Sequence, residues 1–184
     1  MNDSKINKLE NPIRIAELNP KNTLIKTGFK ENMVLCDIGA GTGIFSFIAA
    51  KISSNDIYAL EVSDSMIELL KNRMDEQDTK NLIIKKVDSI QLPLGSNICD
   101  MAIMVTVLHE IEDKEYMLNE IKRVLKRKGR LMIIEFHKRK TPIGPPIDHR
   151  LSENYVEEIC NNNELKPIEK FSLGENLYCA IFES

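Results

Sequence analysis

Short apolar runs alternate with longer amphipathic runs through most of this 184-residue chain, and that alternation limits the fold more than any other feature. Nearly continuous apolar runs are typical of parallel strands that helices cover on both faces. The amphipathic runs between them supply such helices, so the pattern predicts an α/β fold of strand–helix–strand units. The predicted strands are Met33 to Ile38, Ile57 to Glu61, Leu82 to Val87, Met101 to Thr106 and Arg130 to Phe136.

Capping residues locate three of the predicted helices. Ser63, Asp113 and Ser152 each stand where a side-chain oxygen can accept the first free N–H groups of a helix. The second of these helices is predicted to continue to Gly129. Its last turn would then hold the basic residues 126 to 128, which favour the negative end of the helix dipole.

The pattern changes after residue 137. The stretch "HKRKTPIGPPIDHR" is rich in proline and predicts an ordered but irregular loop. Two closing strands, Ile168 to Leu173 and Leu177 to Phe182, are joined by "GEN", a turn short enough to require an antiparallel hairpin. The sheet should therefore be parallel, with one reversed strand near its edge.

Charge and composition argue against several classes of protein. The chain has 25 basic and 28 acidic side chains, a formal charge of -3, so no overall positive field attracts nucleic acid or an anionic membrane. It contains no apolar run of signal-peptide or membrane-spanning length, and we expect a cytoplasmic protein without membrane insertion. Its four cysteines are dispersed, which predicts reduced structural thiols and no metal site.

Acidic residues follow three of the predicted strands. In open α/β sheets, ligands bind at the carboxyl ends of the strands, and Asp37, Glu61 and Asp88 stand at such ends. Each alone is an ordinary loop residue. Glu61, however, comes 24 positions after Asp37, close to the spacing from which an acid grips both hydroxyls of a ribose. Together they fit an adenosine.

The turn "GAGTG" indicates what the adenosine carries. Its alternating glycines let the backbone approach a ligand closely. A dinucleotide site aims a helix N-terminus at a pyrophosphate, but here the nearest charged side chain is Asp37, which opposes phosphate and suits an ammonium or sulfonium group. A positively charged nucleoside is therefore favoured over a diphosphate. Apolar surface for its ring is available from Val62, Met66 and Ile90.

Four segments resemble a known family: "VLCDIGAGTG", "YALEVSDSM", "VDSIQLPLGSNICDMAIMVTVLHEI" and "RVLKRKGRLMIIEF". They are similar to the class I S-adenosylmethionine-dependent methyltransferases, and most to small bacterial and archaeal members related to quinone-biosynthesis C-methyltransferases. The resemblance implies a Rossmann-like three-layer sandwich with seven strands in order 3-2-1-4-5-7-6, the seventh antiparallel. It also implies S-adenosyl-L-methionine as cofactor and a small-molecule acceptor.

The resemblance also assigns cofactor contacts to individual positions. It implies that Asp37 and the turn hold the methionine part, that Glu61 holds the ribose, that Asp88 and Ser89 meet the adenine, and that Thr106 and Val107 line the methionine side through their backbone. The turn consists of Gly39, Ala40, Gly41, Thr42 and Gly43, and Ala40 stands where many relatives have Cys or Ser.

The acceptor side has candidates in three places. His109 and Glu110 follow the fourth predicted strand, at the family's usual position beside the acceptor, and a histidine there can act as a general base near neutral pH. The alternative is that His109 bonds backbone in the loop and that Glu110 or Asp113 helps to begin the next helix. Glu135 and His137 end the fifth strand and face the same region.

His149 and Arg150 leave the proline-rich loop just before the Ser152 helix. A guanidinium there can bind a carboxylate or phosphate of the substrate. The alternative is an ion pair between Arg150 and Glu153 or Glu157.

At this length one buried core is expected. We therefore predict a single methyltransferase domain over residues 1–184 with three parts: an N-terminal helical cap segment (1–30), a cofactor-binding part (31–137) and a substrate-side loop, helix and closing hairpin (138–184). Two Asn-Pro pairs prevent one long helix in the first part.

Other functions remain open at this point. One alternative is a methyltransferase that acts on nucleic acid or protein. Many enzymes of this class that methylate amino nitrogens carry Asn/Asp-Pro-Pro-Tyr/Phe after strand four, where this chain reads "TVLHEI". A module that binds S-adenosylmethionine without catalysis is a further alternative. The sequence indicates no oligomeric state.

Overall fold

Seven strands and seven α-helices make up the computed structural model, which describes residues 3–184. The helices are α1 (Asp3–Leu9), α2 (Pro12–Leu18), α3 (Pro20–Lys26), α4 (Ile44–Ile52), α5 (Asp64–Glu76), α6 (Lys114–Val124) and α7 (Glu153–Asn162). The strands are β1 (Leu35–Ile38), β2 (Ile57–Glu61), β3 (Leu82–Lys86), β4 (Cys99–Val105), β5 (Leu125–Phe136), β6 (Lys166–Leu173) and β7 (Leu177–Glu183). Single 3₁₀ turns cover Leu108–Glu110 and Ile147–His149.

The strands form one sheet in the order β3-β2-β1-β4-β5-β7-β6. Strands β1 to β5 pair in parallel, and β7 runs antiparallel to both of its neighbours. The predicted seven-stranded order and the reversed strand are therefore confirmed, as is the closing hairpin, whose turn begins at Gly174 with φ +62°. The predicted and observed strands differ only by a few residues at their ends. The largest difference is at β5, which begins at Leu125 instead of Arg130.

The start of β5 corrects one helix prediction. Helix α6 ends at Val124 instead of continuing to Gly129, because Leu125 is extended and pairs with Cys99 of β4. The basic residues 126 to 128 therefore do not form a helical last turn. Lys126 instead binds Asp100 with its Nζ 2.8 Å from the carboxylate, which ties the beginning of β5 to β4.

Helices cover both faces of the sheet. On one face, Met117, Leu118 and Ile121 of α6 and Val156 and Cys160 of α7 form a buried cluster with strand residues. On the other, residues of α2, α3 and α4 form a second cluster with the opposite strand faces, and Leu70 of α5 joins it. The result is a three-layer sandwich in which all four cysteines are buried and free.

Two of the three predicted caps bond as expected. Asp113 accepts a hydrogen bond from Tyr116 N at 2.9 Å, and Ser152 accepts one from Tyr155 N at 3.2 Å. Ser63 occupies the N-cap position of α5, but its hydroxyl makes no capping bond. Near the N-terminus the two Asn-Pro pairs separate α1, α2 and α3, as predicted. None of the helices within residues 3–184 is long and apolar enough to cross a membrane.

We predict that Gly43→Ala destabilises the fold by about 2–3 kcal/mol. Gly43 has φ +81°, and an added Cβ would lie 2.6 Å from a ring atom of Phe47 and 2.7 Å from Leu70 Cδ2. The control is Gly95→Ala, because a Cβ there meets only Ile98, at 3.8 Å. Urea unfolding should place the control within about 0.5 kcal/mol of the parent. Equal unfolding midpoints for both variants would contradict the strain argument.

Candidate functional site

The carboxyl ends of β1 and β2 bring Asp37 and Glu61 to the same edge of the sheet. The parallel register pairs Asp37 with Ala59 and Ile38 with Leu60. Glu61 therefore lies on the neighbouring strand, two residues past the partner of Asp37. Both side chains are buried, with 3% and 5% exposure. Two buried carboxyls at one strand edge are costly unless polar partners meet them.

Asp37 is held by a hydroxyl. Ser46 Oγ of α4 donates to Asp37 Oδ2 at 2.5 Å. Burial, with a smaller contribution from the negative charge of Glu61, raises the pKa of Asp37 to about 7, against the opposing effect of the Ser46 hydrogen bond. Near neutral pH this carboxyl therefore changes its protonation readily when a cationic group arrives.

Glu61 is fixed by backbone. Its carboxylate accepts N–H groups from Gly41 at 2.8 Å and from Val62 and Ser63, both at 2.9 Å. The Gly41 bond ties the glycine turn to the end of β2. The three N–H bonds fix the direction of this carboxylate. A ribose diol that binds Glu61 would compete with one of them for a carboxylate oxygen.

The glycine turn packs against the end of β4. Gly39 has φ +72°, and a Cβ added there would lie 2.6 Å from Val107 Cγ2, so only glycine permits this approach. The hydroxyl of Thr42 is buried without a hydrogen-bond partner among the described residues. The turn thus offers a buried hydroxyl that can donate to a ligand.

The apolar residues predicted to contact the adenine differ in their exposure. Val62 and Ile90 are 66% and 48% exposed, whereas Met66 is fully buried. Asp88 is also open: its side chain is 73% exposed, with one oxygen 3.6 Å from Lys86 Nζ. Ser89 donates to Gln91 O at 3.2 Å. Exposed aliphatic surface at a strand edge is available to a planar ring.

The N-terminal helices cover the methionine side of this edge. Leu9, Arg14 and Leu18 line one small cavity together with Asp37 and residues 39–42. Arg73 of α5 fastens this cover, because it binds the carboxylate of Glu10 and donates to Thr42 O at 2.9 Å. Neither Arg14 nor the Glu10–Arg73 pair was predicted. A signal for Arg14 was present, since it stands four positions before the apolar Leu18 on the same helical face.

His109 and Glu135 form a hydrogen-bonded pair. His109 Nδ1 lies 2.8 Å from Glu135 Oε2, and His109 N donates to the other carboxylate oxygen at 3.2 Å. Glu135 is almost fully buried, at 1% exposure. Its hydrogen bond raises the pKa of His109 above the ordinary 6.5, against the opposing effect of burial. His109 stands two residues after Val107, and the side chain of Val107 packs against Gly39 of the glycine turn.

A second histidine pair lies further along β5. His137 Nδ1 is 2.8 Å from Oε1 of Glu153, the first residue of α7, and its other ring nitrogen is buried without a partner among the described residues. The ring packs against Tyr178, with centroids 5.6 Å apart, and Tyr178 donates to Leu151 O at 3.1 Å. The pairing of Glu153 with His137 was not predicted.

The remaining acceptor-side candidates occupy different environments. Arg150 is buried and directs its N–H groups to the carbonyls of Pro145, His137, Arg139 and Ile143 and to the Thr141 hydroxyl. Neither of its proposed ion pairs forms, because Glu153 binds His137 and Glu157 binds Lys170. Arg150 thus organises the proline-rich loop. His149 and Glu110 are open, with side chains 67% and 73% exposed.

The fold is an α/β sandwich with the strand order of the class I methyltransferases, and it carries buried acids at the carboxyl ends of β1 and β2. A family model described as "Methyltransferase domain" matches residues 29–181. The chain belongs to this family, and S-adenosyl-L-methionine is its cofactor. The residues present fit that molecule: Asp37 is a buried carboxyl without a positively charged partner among the described residues, the Thr42 hydroxyl lacks a hydrogen-bond partner there, and Val62 and Ile90 are exposed.

Individual relatives agree with this assignment. The chain is 29% identical over 119 residues to "Ubiquinone/menaquinone biosynthesis C-methyltransferase UbiE" of Cellvibrio japonicus (strain Ueda107), a match that covers 63% of this chain and 48% of that protein. The chain thus spans about half the length of the curated relatives it matches.

Solved structures show the same architecture. A SAM-dependent methyltransferase from Aquifex aeolicus superposes with a TM-score of 0.92 at 27% identity, over 100% of this chain and 98% of that one. The [4+2]-cyclase SpnF superposes with a TM-score of 0.80 at 16% identity, over 91% of this chain and 81% of that one. The second likeness shows the fold alone.

We predict that Glu135→Gln lowers the pKa of His109, because the neutral amide removes the charge that most favours the imidazolium while burial still opposes it. The measurement is an NMR titration of the ring protons, with the His109 signal assigned from a His109→Gln variant. The stability consequence has a definite sign. A raised folded pKa stabilises the protein fully below the unfolded value of about 6.5, and this contribution is lost as the pH rises through the folded value.

The difference in unfolding free energy between the parent and Glu135→Gln should therefore be larger at about pH 5.5 than at about pH 8.5. A His109 titration that is the same in both proteins would contradict the pairing.

Proposed function

We propose that this chain transfers the methyl group of S-adenosylmethionine to a small-molecule acceptor whose reacting atom loses a proton to His109. Beyond family membership, the proposal is carried by the hydrogen bond between His109 and the buried Glu135, two residues past Val107, which packs against Gly39. The names of the UbiE relatives, which point to quinone biosynthesis, support a small acceptor and a carbon target. The net charge of -3 gives no support to a nucleic-acid acceptor.

The cofactor's parts have matching groups along the strand edge. Asp37 is suited to its ammonium, Glu61 to its ribose hydroxyls, and Asp88 with Ser89 to the adenine amine, while Val62 and Ile90 offer apolar surface to the ring. When bound, S-adenosylmethionine supplies an electrophilic methyl group on a sulfonium, so the chain has to supply position, exclusion of water and a proton acceptor.

His109 can accept the acceptor's proton through its Nε2 atom. Its Nδ1 is hydrogen-bonded to Glu135, which fixes the tautomer with Nε2 free to act as a base. Glu135 also stabilises the imidazolium that forms, because a carboxylate within hydrogen-bond distance favours the charged ring. Glu135 is thus a positioning residue, and Arg150 supports the same region by holding the 138–150 loop in place.

The test is an acceptor panel that begins with quinols and phenols and extends to amines, thiols and carboxylates. The protein is incubated with S-adenosylmethionine, and S-adenosylhomocysteine and methylated product are measured by mass spectrometry. We predict that His109→Gln lowers kcat by roughly 10²- to 10⁴-fold while the cofactor Kd stays unchanged. The matched control is Glu112→Gln, a change at an exposed carboxylate in the same loop.

Two outcomes would overturn parts of this proposal. Equal turnover in His109→Gln and the parent would show that His109 is not the proton acceptor, although the proposal of methyl transfer would stand. Tight cofactor binding without S-adenosylhomocysteine from any acceptor would favour a non-catalytic binding module instead.

We predict that cofactor affinity rises with pH through about 7, because ligand-free Asp37 has a pKa of about 7 and an ammonium group binds its ionised form. Calorimetry with S-adenosylhomocysteine should give a Kd roughly tenfold lower at pH 8 than at pH 6. Asp37→Asn should bind more weakly and lose most of this dependence. A parent Kd that does not change with pH would show that Asp37 does not meet the ammonium.

A further inference from the structure

A buried guanidinium lies inside the covered end of the cofactor site. Arg14 is 6% exposed, although arginine is almost never fully buried without a partner. Its Nη1 donates to Leu9 O at 2.6 Å and its Nη2 to Thr106 Oγ1 at 3.0 Å. These two bonds leave further N–H donors of the guanidinium unused.

No acid neutralises this group within the described part of the chain. Arg14 forms no ion pair within 4.0 Å with any acidic side chain described from residue 4 onward. Desolvation lowers its pKa to about 10, which reflects the cost of an uncompensated buried charge. The other basic side chain of this region, Arg73, differs in this respect, since it holds Glu10 with two hydrogen bonds.

The surroundings of Arg14 restrict what anion it can meet. The cavity that it lines also contains Asp37 and the glycine turn, and its Nη2 contacts the side chain of Thr106 at the end of β4. An amino-acid group presents an ammonium and a carboxylate side by side. A cavity with one buried carboxyl and one buried guanidinium is complementary to both charges of such a group.

We propose that Arg14 binds the carboxylate of the cofactor's methionine part and makes the site selective for ligands that carry it. This inference rests on the proposed function for the identity of the cofactor, but it requires no acceptor. Arg14 belongs to α2, so the same contact joins the N-terminal cover to the ligand. A ligand bound to Arg14 would therefore also hold the N-terminal cover against the sheet.

The experiment compares two ligands that differ by the carboxylate alone: S-adenosylhomocysteine and its decarboxylated analogue. Calorimetry gives the Kd of each for the parent and for Arg14→Met, which keeps a long apolar side chain. The expected result is that Arg14→Met weakens S-adenosylhomocysteine roughly ten- to a hundredfold and the analogue less than about threefold. Arg14→Lys should fall between, since it keeps the charge without the planar fork.

Arg73→Met is the matched control. It removes the other arginine that holds the N-terminal cover, but that arginine has a carboxylate of its own, so the control should weaken both ligands by the same factor. Melting temperatures establish whether each variant is folded. If Arg14→Met does not fold, the ratio of the two affinities in the parent and in Arg14→Lys decides the question.

Each alternative outcome has a definite meaning. Equal weakening of both ligands in Arg14→Met, or no preference for the carboxylate in the parent, overturns the inference and leaves Arg14 as a strut between Leu9 and Thr106. If the parent binds neither ligand, the cofactor assignment of the proposed function fails together with the inference. If the parent binds both but Arg14→Met does not discriminate, only the inference fails.

Discussion

The close approach of Gly39 to Val107 is the contact on which both halves of the site depend. The end of β1 can lie against the end of β4 only because position 39 has no Cβ, and a Cβ there would come within 2.6 Å of Val107. On one side of this contact the chain continues into the glycine turn and Ser46. On the other it continues directly into Leu108 and His109. A side chain at position 39 would separate the groups proposed to hold the cofactor from the group proposed to accept the proton.

Buried charged side chains are concentrated at this edge of the sheet, whereas Glu120 and Arg150, buried elsewhere, are met by Arg123 and by five oxygens. Asp37, Glu61 and Glu135 are each at most 5% exposed, and Arg14 is 6% exposed. Glu61 and Glu135 are met by backbone N–H groups and by His109, whereas Asp37 and Arg14 have only neutral partners. Buried charges without counter-charges destabilise a fold, and they persist at functional sites where a ligand supplies the missing partner. Asp37 and Arg14 are therefore the positions where we expect ligand charge to bind.

Much of the fold could be predicted because the strands are almost uniformly apolar and the turns carry their own signals. The strand Ile57 to Glu61 has the predicted bounds, and "GEN" closes the predicted hairpin. The end of α6 could not be predicted, because the local pattern from Asp113 to Gly129 suits a helix and only pairing with β4 makes Leu125 extended. Tertiary pairing outweighed helix propensity there. The candidate site shows the same contrast between local sequence signals and tertiary contacts. Strand ends predict the positions of Asp37 and Glu61. Glu153 at the start of α7, which meets His137, and the five oxygens that meet Arg150 are brought to their partners only by the folded chain.

Arg14 shows why the N-terminal segment is the hardest part to interpret from sequence. Ile13 and Ile15 beside it invite a helix with an apolar face, yet Ile13 is 55% exposed and the arginine is buried. Hydrophobicity alone assigns the wrong face, because the face that packs on the sheet through Leu18 also carries Arg14 into the cavity. Thr106 stands at φ +56°, an uncommon conformation for a threonine, and that conformation coincides with the position that meets the guanidinium. A strained residue joined to a buried, unpaired charge is a combination that a structural strut does not require. Arg14, Thr106 and the glycine turn therefore meet at the covered end of the strand edge where we propose that the cofactor binds.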